Sequence, residues 1–91
     1  MPKYSFKLFV TGQNSRATRA IANLRRFGDD ELKGDYQLIV VDVLESPHIA
    51  EANKILATPT LIKESPLPMR RIIGDLANID LDMLGMHHFY V

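Results

Sequence analysis

The chain contains no cysteine. That excludes disulfide bonding, thiolate nucleophiles and Cys-x-x-Cys redox chemistry, and it removes any need for an oxidising compartment. It also has no net charge: eleven Lys and Arg balance eleven Asp and Glu. A field that would draw the whole molecule to nucleic acid or anionic lipid is therefore absent. No apolar run approaches the ~20 residues of a membrane span, and MPKYSFKLFV alternates where a signal peptide would be continuously apolar. The expected location is cytoplasmic. With 91 residues, 46% of them hydrophobic, the chain is read as one domain over residues 1–91 whose small core must be nearly complete to be stable.

Glycine and proline are scarce, five of each, yet Pro59, Pro66 and Pro68 all fall within residues 54–76. This stretch, KILATPTLIKESPLPMRRIIGDL, also carries paired arginines, two short aliphatic runs and a Gly-Asp turn. The fold depends on how it is read.

In the first half the pattern is plain. Residues 3–11 alternate, with Tyr4, Phe6, Leu8 and Val10 on one face and Ser5, Lys7, Phe9 and Thr11 on the other, as in a strand ended by Gly12. Asn14 or Ser15 caps a helix whose apolar stripe is Ala17, Ala20, Ile21, Leu24 and Phe27, with Gly28 as its C-terminal glycine. After a Lys33-Gly34-Asp35 turn, YQLIVVDVL is apolar almost without a break, which predicts a strand covered on both faces.

Ser46-Pro47 then starts a short helix through Ile49, Ala50, Asn53 and Leu56, ending by about Ala57 because Pro59 disfavours helical backbone at Thr58. Residues 60–62 and 69–73 form a hairpin around the Ser65-Pro66-Leu67-Pro68 turn. Asn78 caps a last helix with Asp80 and Asp82 in its first turn and Ile79, Met83 and Leu84 on its buried side. The order β-α-β-α-β-β-α is an α/β, thioredoxin-like arrangement with a mixed four-stranded sheet, helices on both faces, and Thr58-Pro59 placed where that architecture often has a cis-proline. In the second half local preferences conflict. Residues 86–91, after Gly85, have strand-forming character, and RRIIGDL is short enough to be either helix or strand.

From KLFVTGQNSRATRAI through YQLIVVDVLESPHIAEANKILATPTL to MRRIIGDL, the sequence resembles the KaiB family of circadian-clock proteins over nearly its whole length. The resemblance implies a non-enzymatic regulator that binds a KaiC-type ATPase, captures a KaiA-like protein and competes with the KaiB-like sensor domain of a histidine kinase. It also implies two folds: a self-associating ground state, hence a homo-oligomer with a rearranged second half, and a thioredoxin-like binding state. Pro59, Pro66, Pro68, Gly85 and His87 lie in the segment that would exchange. The sequence departs from the family in three places: His87 stands where an aspartate is usual, Leu67 interrupts the proline run, and the acidic C-terminal extension is missing. The thioredoxin-like state is the one expected here, since the residue pattern reaches it alone.

Lys54 matches a lysine of the family's KaiC-binding surface, presented by a helix bearing Pro47, Glu51 and Asn53; a solvated lysine is the plainer alternative. Tyr36, Gln37, Leu38 and Ile39 begin an edge strand open to a second partner, or simply core. Arg19, Arg70 and Arg71 offer guanidinium forks to partner carboxylates, or serve solubility and pair with the acids at 29–31. Adjacent histidines at 87 and 88 diverge by ~100° on a helix, and only Asp80 or Asp82 is near, so no metal site is expected, and no cofactor. Tyr4, Phe6 and Phe9 belong to the core rather than to a nucleic-acid platform. Gly12 lacks the second glycine and lysine of a phosphate loop, and Ser15, Asp42 and His48 have no triad spacing. The alternative function is a free-standing thioredoxin-like stress or sensory domain with no KaiC partner, binding a small ligand beside Pro59.

Overall fold

The computed structural model describes residues 1–86. Strand β1 (Tyr4–Val10), helix α1 (Ser15–Glu31) and strand β2 (Tyr36–Asp42) are followed by helix α2 (Pro47–Ala52), the hairpin β3 (Thr60–Ser65) and β4 (Arg70–Ile73), and a single 3₁₀ turn at Asp82–Leu84. The sheet order is β2-β1-β3-β4. β1 runs parallel to β2 and antiparallel to β3, and β3 runs antiparallel to β4, which makes the sheet mixed. The fold is thioredoxin-like.

The alternation in β1 sorts the two cores. Phe6, Leu8 and Val10 face α1, where Ala17, Ala20, Leu24 and Phe27 complete the larger cluster with Leu61, Leu76 and Leu84. Phe9 points the opposite way and meets Val41 and Ile62, a smaller core closed by Val43 and Ile55 on either side of α2. Helix α2 itself buries no residue. The second face of the sheet is therefore covered by the flanks of a short helix rather than by a helix body.

Asn14 is the N-cap of α1: its backbone is extended and its side-chain oxygen accepts from Ala17 N at 2.9 Å. The helix runs past Gly28 to Glu31, so Gly28 is not its terminator. Its terminal turn has Leu32 at the cap, Lys33 and Gly34 at φ 56° and 77°, and Gly34 N donating to the Gly28 carbonyl. Gly28 serves a close approach instead. A Cβ there would lie 2.7 Å from Cδ1 and Cζ of Tyr36, whose ring packs edge-on against Phe6 with centroids 6.3 Å apart.

Three other expectations change. β2 is an edge strand, as expected for Tyr36–Ile39, but Ile39 and Val40 are each 41% exposed, so the apolar run is not buried on both faces. Helix α2 stops at Ala52, because Lys54 adopts a left-handed conformation (φ 54°) and turns the chain away; Leu56, expected on its apolar stripe, is 95% exposed. The last helix is a 3₁₀ turn among the described residues, and Asn78 does not cap it. Asp80 Oδ1 accepts from Met83 N, while the i→i−3 bonds Leu84 N to Leu81 O and Gly85 N to Asp82 O tighten the turn until Gly85 (φ 69°) ends it. Leu84 is fully buried as expected, but Met83 is 41% exposed.

The Thr58–Pro59, Ser65–Pro66 and Leu67–Pro68 bonds are cis. Pro59 O accepts from Gly74 N, fixing the start of β3 to the end of β4. Gly85 packs against the hairpin, where an added Cβ would stand 2.9 Å from Pro68 Cγ and 3.1 Å from Arg70 Nε. His87 lies outside the described residues.

Candidate functional site: the Lys54 corner and the open edge

Pro47 occupies the first turn of α2, and residues 53–55 close the helix with a two-bond C-terminal motif. Lys54 N donates to the Glu51 carbonyl and Ile55 N to that of Ala50, each at 3.0 Å. These are the 5→2 and 6→1 bonds of a Schellman turn with Lys54 at the position usually held by glycine. Ile55, the residue beyond, packs on Phe9, Val41 and Ile62 and supplies the apolar contact that commonly accompanies the motif. Asn53 Nδ2 donates back to Ile49 O at 2.8 Å. Lys54 is left exposed on a corner whose backbone is bonded on both sides.

Arg71 completes that corner. Its Nη2 donates to the Asn53 carbonyl at 2.6 Å and its Nη1 to the Lys54 carbonyl at 2.9 Å. These carbonyls fall at the helix end, where helical partners run out. Thus Pro47, Glu51, Asn53, Lys54 and Arg71 are brought to one place, Arg71 from a strand that is distant in sequence.

The residues assigned to a second partner are not gathered in this way. Tyr36, Gln37, Leu38 and Ile39 form the first half of β2, at the edge of the sheet opposite β4. This edge is seven residues long and half-apolar, whereas β4 is four residues long and carries Arg70 and Arg71, the kind of charge that discourages edge pairing. Arg19 lies on α1 and its Nε is 3.6 Å from Asp75 Oδ2. Asn23 Nδ2 donates to the Asp75 carbonyl, so this face of α1 is tied to the turn after β4. The sheet separates Arg19 from Arg71. Arg19 pairs with Asp75 and not with the acids at 29–31.

Two features escaped sequence reading. Lys63 is fully buried and its Nζ has no hydrogen-bond partner among the described residues. It shares parity with Leu61 and so points into the larger core, opposite Phe6 on one side and Arg70 on the other. Burial holds its ammonium below the ordinary lysine value, and the Arg70 charge pushes the same way. The alternation of TLIKES carried that signal. The second is a groove of about 530 Å³ between α1 and α2, lined by Ala17, Ile21, Val40, Asp42 and Ile49. Asp42 holds its rim: Oδ1 accepts from Gly12 N at 3.0 Å and Leu44 N at 2.9 Å, clasping the ends of β1 and β2.

Beside Pro59, Thr11 and Thr58 join hydroxyl to hydroxyl at 2.6 Å over a cleft of only about 60 Å³. A small-ligand site there is not favoured by that volume. Among the described residues no group of three His, Asp or Glu side chains is arranged to hold a metal ion. No helix of the described residues is long and apolar enough to cross a membrane.

The KaiB domain model matches residues 7–87. The chain belongs to the KaiB family. It is 48% identical over 87 residues to the circadian clock oscillator protein KaiB of Prochlorococcus marinus, an alignment covering 96% of this chain and 81% of that one. The corresponding protein of Thermosynechococcus vestitus is 47% identical with the same coverage. Circadian clock protein KaiB3 of Synechocystis is 43% identical over 86 residues, covering 94% of this chain and 84% of its own length. Among solved structures, the N-terminal domain of Synechococcus elongatus SasA superposes with a TM-score of 0.69 at 20% identity, over 82% of this chain and 71% of that domain. Mitochondrial thioredoxin 3 of Saccharomyces cerevisiae gives 0.65 at 21% identity, covering 82% and 70%. These two similarities establish the fold alone. KaiB-family membership and the thioredoxin-like fold accord with the sequence reading.

Proposed function

We propose that this chain is a non-enzymatic KaiB-like clock or regulatory protein that binds a KaiC-type ATPase and modulates its phosphorylation and ATPase cycle. The observation that carries this reading is the Lys54 corner in a member of the KaiB family: an exposed lysine on a bonded, outward-turned helix end, with Pro47, Glu51 and Asn53 around it. A positive charge on a fixed backbone recognises a carboxylate on a partner with little ordering cost. The open edge of β2 at Tyr36–Ile39 is the docking place for a second protein, a KaiA-like protein or a histidine-kinase sensor domain, by strand addition. Arg19, on the α1 face of the sheet, supplies the basic contact to that second protein, while Arg71 lies at the opposite edge, bonded to the carbonyls of Asn53 and Lys54. The thioredoxin-like form is the binding form; a self-associating form with a rearranged second half, involving Pro59, Pro66, Pro68, Gly85 and His87, is its counterpart, and the action is cytoplasmic.

The test is to incubate the chain with the KaiC-type ATPase of its own organism and ATP, following complex formation by size exclusion over a day together with the ATPase rate. A slowly growing complex and a changed rate are expected. No complex and an unchanged rate would overturn the reading. Backbone NMR tests the two-form element: a second set of resonances in residues 46–86, exchanging over seconds to hours, is expected, and a single set under all conditions would count against it.

A further inference from the structure

We propose that Arg71 is a positioning residue for partner docking: its guanidinium holds the Lys54 corner in shape, so the docking surface exists only while β4 is formed and in register. The proposal rests on the functional reading above for the identity of the surface, and on geometry for the device. Residues 53 and 54 follow the last residue of α2, and Arg71 Nη2 and Nη1 meet their two carbonyl oxygens at 2.6 and 2.9 Å. The bonds span 18 and 17 residues of sequence and tie the end of α2 to β4.

Three further observations give the contact its purpose. Lys54 sits in the left-handed region at φ 54°, a conformation that a non-glycine residue keeps only when its surroundings over-determine it. Helix α2 is six residues long and buries none of them, so it has little packing of its own to hold its end. Arg71, finally, lies opposite Ile62 in the β3–β4 ladder, which aims its side chain across the face where Ile55 is packed. A planar fork with several N–H donors reaches two adjacent carbonyls at once, which a lysine ammonium on a flexible stem does less well. The arginine therefore acts on the partner through Lys54 rather than by touching it.

The experiment uses the full chain as wild type and as Arg71→Ala, Arg71→Gln and Arg71→Lys. Hydrogen exchange is read at the Lys54 and Ile55 amides, global stability by urea, and affinity for the KaiC-type ATPase of the same organism by titration. Glutamine keeps a donor without the charge. If Arg71 positions the corner, exchange at the two amides rises about tenfold or more in Arg71→Ala beyond the change in global stability. Affinity then follows amide protection across the series, with Arg71→Gln better than Arg71→Ala. In a cycle with Lys54→Ala, losing Lys54 costs little once Arg71 is gone. If Arg71 is instead a direct charge contact, the amides stay protected, Arg71→Gln binds as poorly as Arg71→Ala, and the two substitutions are additive; that result overturns the proposal. A wild type that binds no such ATPase overturns the functional reading and the docking role together, and it is distinguishable because the exchange difference between wild type and Arg71→Ala persists.

Discussion

The ring of Tyr36 lies over the backbone of Gly28, in the space a Cβ would take. An alanine at position 28 would stand 2.7 Å from Cδ1 and Cζ of that ring, so the first residue of the edge strand is seated directly on the helix that backs the sheet. Tyr36 in turn packs edge-on against Phe6 in the core. The start of β2 is thereby fixed by a contact only glycine permits.

Gly28→Ala follows directly. In an exposed helix this change would stabilise by about 1 kcal/mol through helix propensity. Here the ring must move, and overpacking costs about 1–3 kcal/mol. A net loss is expected in urea unfolding, with Tyr36→Ala in the same background restoring the propensity gain of the alanine. A stabilised Gly28→Ala would show that the ring moves freely.

Lys63 gives a prediction of the opposite sign. A fully buried ammonium with no partner among the described residues, directly across from Arg70, opposes folding. Lys63→Met keeps the stem and removes the charge, and should raise stability by about 1–3 kcal/mol. The pH dependence is fixed in sign by the lowered pKa. The folded state binds fewer protons than the unfolded state between the lowered value and the ordinary 10.5. Stability therefore rises with pH through that window, and the full cost is carried below it. The difference between wild type and Lys63→Met, measured by urea titration at neutral and alkaline pH, should shrink as pH rises. A constant difference would remove the lysine as its cause.

What the sequence disclosed and what it withheld divide along physical lines. Period-two alternation in residues 3–11 and the Ala17, Ala20, Leu24, Phe27 stripe report local geometry, and both elements are where they were expected. The Pro47 helix start and the hairpin around Pro66 and Pro68 are equally local signals. Gly28 misled because helix termination and close approach demand the same residue. Lys54 did so because a left-handed helix end without glycine carries no mark in the sequence. The Arg71 contacts cross 17 and 18 residues and belong to packing, and the burial of Lys63 depended on which face of β3 looked inward. The Lys54 site itself came from family resemblance rather than from pattern.

Leu56 tests the reach of the docking surface. It is two residues beyond Lys54 and 95% exposed, so its side chain contributes almost nothing to the core. Leu56→Ser should leave stability within about 0.5 kcal/mol. If the surface around Lys54 meets a partner, an apolar side chain displayed there becomes buried on binding, and its loss should weaken the complex by about 1–2 kcal/mol. Equal affinity of wild type and Leu56→Ser for the ATPase would confine the contact to α2 and Lys54.

Lys54 offers the sharpest separation of stability from function. Its left-handed backbone costs about 1–2 kcal/mol for a residue with a Cβ. Glycine removes that cost but loses more chain entropy on folding, about 0.5–1 kcal/mol. Lys54→Gly should therefore be more stable than wild type by roughly 0.5–1 kcal/mol. Lys54→Ala keeps the Cβ, and its stability should stay near that of wild type. Both variants lack the ammonium, so both should lose affinity for the ATPase to a similar degree. Urea midpoints and binding titrations on the same preparations decide the matter: a Lys54→Gly chain that is firmer yet binds poorly identifies the charge as the functional group, whereas one that binds like wild type would assign recognition to the shape of the corner.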